Sequence, residues 1–286
     1  MPSRILRAGE RTLCLDEPQI MGILNVTPDS FSDGGNYMNL DAALAQAEKM
    51  VTAGAAIIDI GGESTRPGAQ LVSIEEEISR VIPVVKAVVK HFPQVLVSVD
   101  TSSLEVITQA ADCGAHIWND IRALTRPHAI EIAAQYRLGV CLMHMQNTPQ
   151  NMQDNPYYDQ SQGGVVAAVK RFLQDRATLC EEYGISPEHI ILDPGFGFGK
   201  SVSDNYSLLK HLGELTADTS YHLMAALSRK SMIGAVTGEK EPARRVVGSV
   251  VAAFYALEQG AQLLRVHDVA ETVEAKKIFL ATREAL

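Results

Sequence analysis

Residues 190–200 read Ile190-Ile191-Leu192-Asp193-Pro194-Gly195-Phe196-Gly197-Phe198-Gly199-Lys200. The opening aliphatic run suits a short strand buried on both faces, as strands of parallel sheets are. It delivers a carboxylate at its end. Pro194 stops regular pairing there, because it has no N–H to donate. Three glycines then alternate with two phenylalanines. Glycine lets the chain turn sharply and lets backbone approach a ligand closely, and aromatics placed between glycines can stack on a flat ring. Taken alone, such a run could equally be a glycine-rich turn with Asp193 capping a neighbour. It is the recurrence of the same design along the chain that decides the fold.

Upstream, apolar residues 19–24 close on Asn25, residues 55–60 carry Asp59, and residues 95–99 close on Asp100. Residues 115–118 lead to Asn119-Asp120, and residues 138–143 lead to His144. Downstream, residues 221–227 close on Ser228-Arg229-Lys230-Ser231, and residues 262–267 carry Arg265 and His267. Helical periodicity fills the intervals, over 40–53, 74–89, 102–113, 130–136, 166–180, 204–212, 243–257 and 269–285. Ser73 with Glu76, and Ser102 with Glu105, read as caps of two of these helices, and Pro83 is expected to kink the first of the two. Eight strand–helix units without a linker predict one α/β domain over residues 1–286, a single-domain (β/α)8 TIM barrel with its site at the C-terminal rim. Residues 1–18 would form a hairpin, turning at Gly9-Glu10, across the barrel bottom. The polar segments 26–35 and 61–68 are long for loops in a barrel and read as lids.

Composition narrows the function classes. The 286 residues carry a formal net charge of −9. An acidic surface repels nucleic acid and anionic membranes, so neither is expected as a partner. Any anion site must be a local cluster of basic groups. The four cysteines, Cys14, Cys113, Cys141 and Cys180, lack metal-ligand spacing and read as reduced thiols. With no apolar run long enough to cross a membrane and no secretion signal in the first residues, a cytoplasmic location is expected.

Asp100, Asn119 and Asp193 supply acceptors and an amide, which suits a flat heterocycle with N–H and C=O groups on its edge. A pyrimidinone bearing an exocyclic amine fits, since a carboxylate accepts two parallel N–H bonds. Lys230 could donate to the ring carbonyl. Arg265 and His267 alternate on the last strand, so both side chains point one way. A guanidinium beside an imidazole suits a phosphate or diphosphate, and the loops after strands seven and eight are a frequent phosphate site in such barrels. Asn25 could give an oxygen to a divalent cation carried by that diphosphate.

The segments 22–35, 59–68, 193–200, 228–231 and 265–267, in this order, resemble the dihydropteroate synthase family over essentially the whole chain. That family joins 6-hydroxymethyl-7,8-dihydropterin diphosphate to 4-aminobenzoate, giving 7,8-dihydropteroate and diphosphate in folate biosynthesis. The resemblance implies that Asp100, Asn119, Asp193 and Lys230 hold the pterin, with Met143 packed on it. It implies that Asn25 ligates Mg²⁺ and that Arg265 and His267 hold the diphosphate. It assigns Phe31, Thr65, Pro67, Phe198 and Ser231 to the aminobenzoate pocket, with Arg66 and Lys230 as nearby positive charge. Lys230, Arg265 and His267 are then the catalytic residues. A departure falls at Gln146-Asn147-Thr148, where many relatives have a glycine. A homodimer is expected through the apolar helix carrying Val246, Val247, Val250, Val251 and Phe254. Two other readings share the pterin clamp: a pterin-dependent methyltransferase, which needs no diphosphate site, and a catalytically silent relative, which binds without turnover.

Overall fold

The computed structural model describes residues 4–27, 36–63 and 72–285. A hairpin of β1 (Ile5–Ala8) and β2 (Arg11–Cys14) precedes eight parallel strands. These are β3 (Gln19–Asn25), β4 (Ile57–Gly61), β5 (Leu96–Asp100), β6 (Ile117–Asp120), β7 (Gly139–Met143), β8 (Ile190–Asp193), β9 (His222–Ala225) and β10 (Leu263–Val266). Each pairs with its neighbour in chain order, and β10 closes onto β3. The helices between them are α1 (Asn36–Ala53), α2 (Ile74–His91), α3 (Leu104–Asp112), α4 (Ala129–Gln135) and α5 (Gly164–Glu182). They continue as α6 (Val202–Lys210), α7 (Ser231–Thr237), α8 (Val246–Glu258) and α9 (Val269–Glu284). The fold is a single (β/α)8 barrel. Among the described residues no helix is long and apolar enough to cross a membrane.

The period-two pleat of each strand sorts its side chains into two cores. Outward residues such as Ile58, Ile60, Val97, Val99, Trp118, Leu142 and Leu192 meet the helices in the larger core. Inward residues build tiers, and the lowest takes one residue from every barrel strand: Met21, Ile57, Leu96, Ile117, Cys141, Ile191, Met224 and Leu263. Leu6, Ala8 and Leu15, from the hairpin and the residue after it, pack beneath that tier. His222 Nε2 lies 3.1 Å from Ile5 O and ties the hairpin to β9. Two residues further along the same strands come Asp59, Ser98, Asn119, Met143, Asp193 and Arg265. The barrel therefore changes from hydrocarbon to charge within one pleat.

Three local details differ from the sequence reading. The cap of α3 is Ser103, whose Oγ accepts from Val106 N at 3.3 Å; Ser102 instead donates to Asp120 Oδ1 at 2.5 Å. Ser73 does cap α2, but Glu76 turns its carboxylate to Arg80, four residues on, rather than back to the cap. A short helix, α7, follows the Ser228–Ser231 turn, because Gly238 in left-handed backbone ends it after two turns.

Candidate active site

Asp59 is the hub of the polar tier and is wholly buried. Its Oδ1 accepts from Ser98 Oγ at 2.6 Å. Its Oδ2 accepts from Asn119 Nδ2 at 3.1 Å and from Arg265 Nε at 2.6 Å. Arg265 Nη2 donates to Asp100 Oδ2 at 2.6 Å. One guanidinium is thus shared by two carboxylates. Burial pushes Asp100 up to about 7, against the pull of Arg265.

That shift has a sign that can be measured. Between the ordinary value of 3.8 and about 7, folded Asp100 holds a proton that the unfolded chain has released. This group's contribution to stability therefore falls as pH rises through that window. Urea unfolding at pH 5 and pH 8 should show the fall, and Asp100→Asn should flatten it. An unaltered pH slope in the variant would remove Asp100 as its source.

The β8 loop places the next carboxylate. Asp193 Oδ1 accepts from Gly195 N at 2.8 Å. Burial raises its pKa, and Lys230 opposes that most strongly. Gly195 has φ +67°, and a Cβ there would stand 2.0 Å from His144 O. Gly195→Ala is expected to destabilise the protein by at least about 3 kcal/mol, read from the urea midpoint. Of the two aromatics, Phe196 is fully buried in the outer core and cannot meet a ligand. Phe198 is half-buried, and Lys230 Nζ lies 4.8 Å from its ring centre.

Lys230 enters from the turn after β9. Its Nζ donates to Phe196 O. Burial pulls its pKa down to about 8, although Asp193 pulls it up. The turn is held in a costly shape: Arg229 has φ +61°. Arg229 Nε donates to Asp268 Oδ2 at 3.0 Å, its N–H donates to Ser249 Oγ at 2.8 Å, and Arg245 Nη1 donates to its carbonyl at 3.0 Å. Ser231 opens α7 and is exposed. His267 stands just past β10, its Nδ1 3.1 Å from Ser228 Oγ. Met143 ends β7, buried and in register with Asp193.

Asn25 ends β3. A Cβ on Gly61 would be 3.8 Å from Asn25 Oδ1 and 3.4 Å from Asp100 Cβ, so the amide and the carboxylate flank one glycine. Among the described residues, His, Cys, Asp and Glu form no group of three that could hold a metal. A single amide oxygen would suit a divalent cation that takes few protein ligands. Phe31, Thr65, Arg66 and Pro67 lie outside the described residues. Asn147 has φ +66°, so it adopts the left-handed backbone a glycine would take, which asparagine tolerates better than most residues.

The structure thus brings Asp100, Asn119, Asp193, Met143, Phe198, Lys230 and Arg265 to one rim. Two residues gain weight that sequence reasoning did not give them. Asp59 was visible as a strand-end carboxylate, but its partners depend on the register between strands. Lys200 was visible only as the end of the glycine run.

A closed parallel barrel with a polar tier toward the C-terminal ends of its strands is the architecture of (β/α)8 enzymes, whose sites lie at that rim. The pterin-binding enzyme family matches residues 21–267. The dihydropteroate synthase of Escherichia coli K12 is 53% identical over 280 residues, 98% of this chain and 97% of that protein. That of Haemophilus influenzae is 52% identical over 98% of this chain and 99% of its own length. A Yersinia pestis dihydropteroate synthase solved with a sulfonamide drug superposes with TM-score 0.91 at 54% identity, covering 98% of this chain and 100% of that one. The Xanthomonas albilineans enzyme in complex with 7,8-dihydropteroate superposes with TM-score 0.86 at 41% identity, covering 99% and 100%. The chain belongs to the pterin-binding enzymes and, within them, to the dihydropteroate synthases.

Proposed function

We propose that the chain joins 6-hydroxymethyl-7,8-dihydropterin diphosphate to 4-aminobenzoate, releasing diphosphate, with the pterin held by Asp100, Asn119, Asp193 and Lys230. The observation that carries this reading is the tier itself. Asp100 and Asn119 are linked through Arg265 and Asp59, and Asp193 sits near Lys230. Carboxylates at the ring's edge accept its amine and N–H groups, Lys230 donates to its carbonyl, and Met143 packs on its face.

The leaving group defines the rest. The C–O bond breaks with both electrons going to diphosphate, and the electron-rich dihydropterin stabilises the cation left at its methylene. The lone pair of the neutral aniline nitrogen then forms the C–N bond, and that nitrogen releases a proton. No protein nucleophile is required. Arg265 and His267 stabilise the charge that grows on the diphosphate. To do so, Arg265 exchanges part of its hold on Asp59 and Asp100 for the phosphate oxygens. Asn25 would hold a Mg²⁺ carried by the diphosphate, and that ion would neutralise part of the same charge. Phe198 and Ser231, with Phe31, Thr65, Arg66 and Pro67, shape the aminobenzoate site. The site must exclude water, which would otherwise trap the cation.

The test is diphosphate release from dihydropterin diphosphate and Mg²⁺, with 4-aminobenzoate present or omitted. Release that depends on aminobenzoate and yields dihydropteroate supports the synthase. Pterin binding without turnover would support the silent relative, and absence of both would overturn the reading.

Residues 1–286 act as one folding unit in this reading, with the hairpin as the plug of the barrel floor, in the cytoplasm. The active form is a homodimer built on α8. Val247, Val251 and Tyr255 stand four residues apart on one stripe and are 77%, 63% and 43% exposed. With Val236, Ile233 and Tyr206 they line a groove of about 680 Å³ between α6, α7 and α8. An apolar stripe of this kind normally marks an interface. Sedimentation equilibrium should give twice the 31.0 kDa chain mass. Val247→Asp should return the monomer, and a monomeric parent protein overturns the assignment.

A further inference from the structure

Lys200 is 3% exposed and takes no part in the chemistry above, yet it is where the strands' ends are fastened. Its Nζ donates to Gly195 O at 2.9 Å, Phe198 O at 3.0 Å and His144 O at 3.2 Å, and lies 3.0 Å from His144 Nδ1. Three carbonyls are matched by the three N–H donors of an ammonium, although burial pulls Lys200 down to about 7, so that form is lost as pH rises through that value. The glycine loop is gripped from outside at its other carbonyls too. Phe196 O accepts from Lys230, Gly197 O from Gln153, and Gly199 O from Tyr158. There is no slack between this loop and the segment after β7. A Cβ on Gly195 would stand 2.0 Å from His144 O, and one on Gly199 2.7 Å from Gln146 O.

We propose that Lys200 is a positioning residue for the pterin site, locking the β8 loop to the end of β7 so that Asp193, Met143 and Phe198 keep one relative geometry. This rests on the pterin reading of that site. Met143 and Asp193 are the last residues of the two strands it joins, and are partners in register. Phe198 gives its carbonyl to the same ammonium. The charge matters as well as the reach, because Lys200 is one of the cations that oppose protonation of buried Asp193.

The test compares wild type, Lys200→Met and Lys200→Arg in steady-state kinetics, calorimetry with 6-hydroxymethylpterin, and thermal unfolding. In folded Lys200→Met, KM for the pterin diphosphate and Kd for the pterin should each rise by about 10- to 100-fold. Lys200→Arg keeps the cation but moves its donors, so it should recover part of that loss, with a rise of only several-fold. It also carries the test should the Met variant fail to fold. A folded variant with a lowered Tm but unchanged pterin KM and Kd would make Lys200 a staple of the fold alone and overturn the proposal. Absence of turnover and pterin binding in the wild type would instead remove the function on which it rests.

Discussion

Lys230→Ala should lower kcat/KM by about 10²- to 10³-fold, the usual effect of removing one preorganised donor from a reacting site. Folding should suffer far less. The side chain is half-buried and, among the described residues, donates one hydrogen bond, to Phe196 O, whose loss costs on the order of 1–2 kcal/mol. Steady-state rates beside a thermal melt separate the two. Unchanged kinetics in a folded variant would strike Lys230 from the site. The same residue should set an alkaline limit. Burial pulls it down to about 8, so its charge is lost as pH rises through that value. Activity should decline there in the wild type. In Lys230→Arg, whose guanidinium does not titrate, any remaining activity should lack that decline.

Arg265→Met should be damaging in both respects. It removes the diphosphate's cation, and it leaves Asp59 and Asp100 in the barrel without their shared partner. Removing one member of a buried ion cluster costs about 3–5 kcal/mol. The loss should be greatest at pH 8, above the value of about 7 to which Asp100 is raised, and smaller near pH 5, where Asp100 takes up a proton. The double variant Arg265→Met/Asp100→Asn should regain much of the stability and none of the turnover. Such a non-additive result is expected of residues in direct contact. Additive stability losses in urea titrations of the single and double variants would mean that Asp100 and Arg265 are not coupled.

The barrel was legible because parallel strands advertise themselves twice, by a continuous apolar run and by the polar residue that ends it. Asn25, Asp100, Asn119 and Asp193 were all found by that rule. The helix ends were less legible. Ser102 and Ser103 are equally good caps in sequence, and Asp120, which takes Ser102 away, lies across the strand boundary. The two phenylalanines of the glycine loop are indistinguishable as letters, but glycine φ angles decide that one turns into the core and the other toward Lys230. Arg265 read as a phosphate ligand because arginine usually is one. Its hold on Asp59 and Asp100 depends on closure of the sheet, which brings residues 206 and 165 positions apart into contact.

The alternation of tiers along the strands also acts as a reading frame. A change of length between strands leaves the facing of the strand residues as it is. A single-residue deletion inside β4 cannot: it would turn Asp59 out among the helices and Ile60 in among the charges. A two-residue deletion would preserve facing yet lower Asp59 by one storey, into the hydrocarbon floor with Met21 and Leu96. Changes of length are thus confined to the segments between strands, while the strands themselves admit only substitutions.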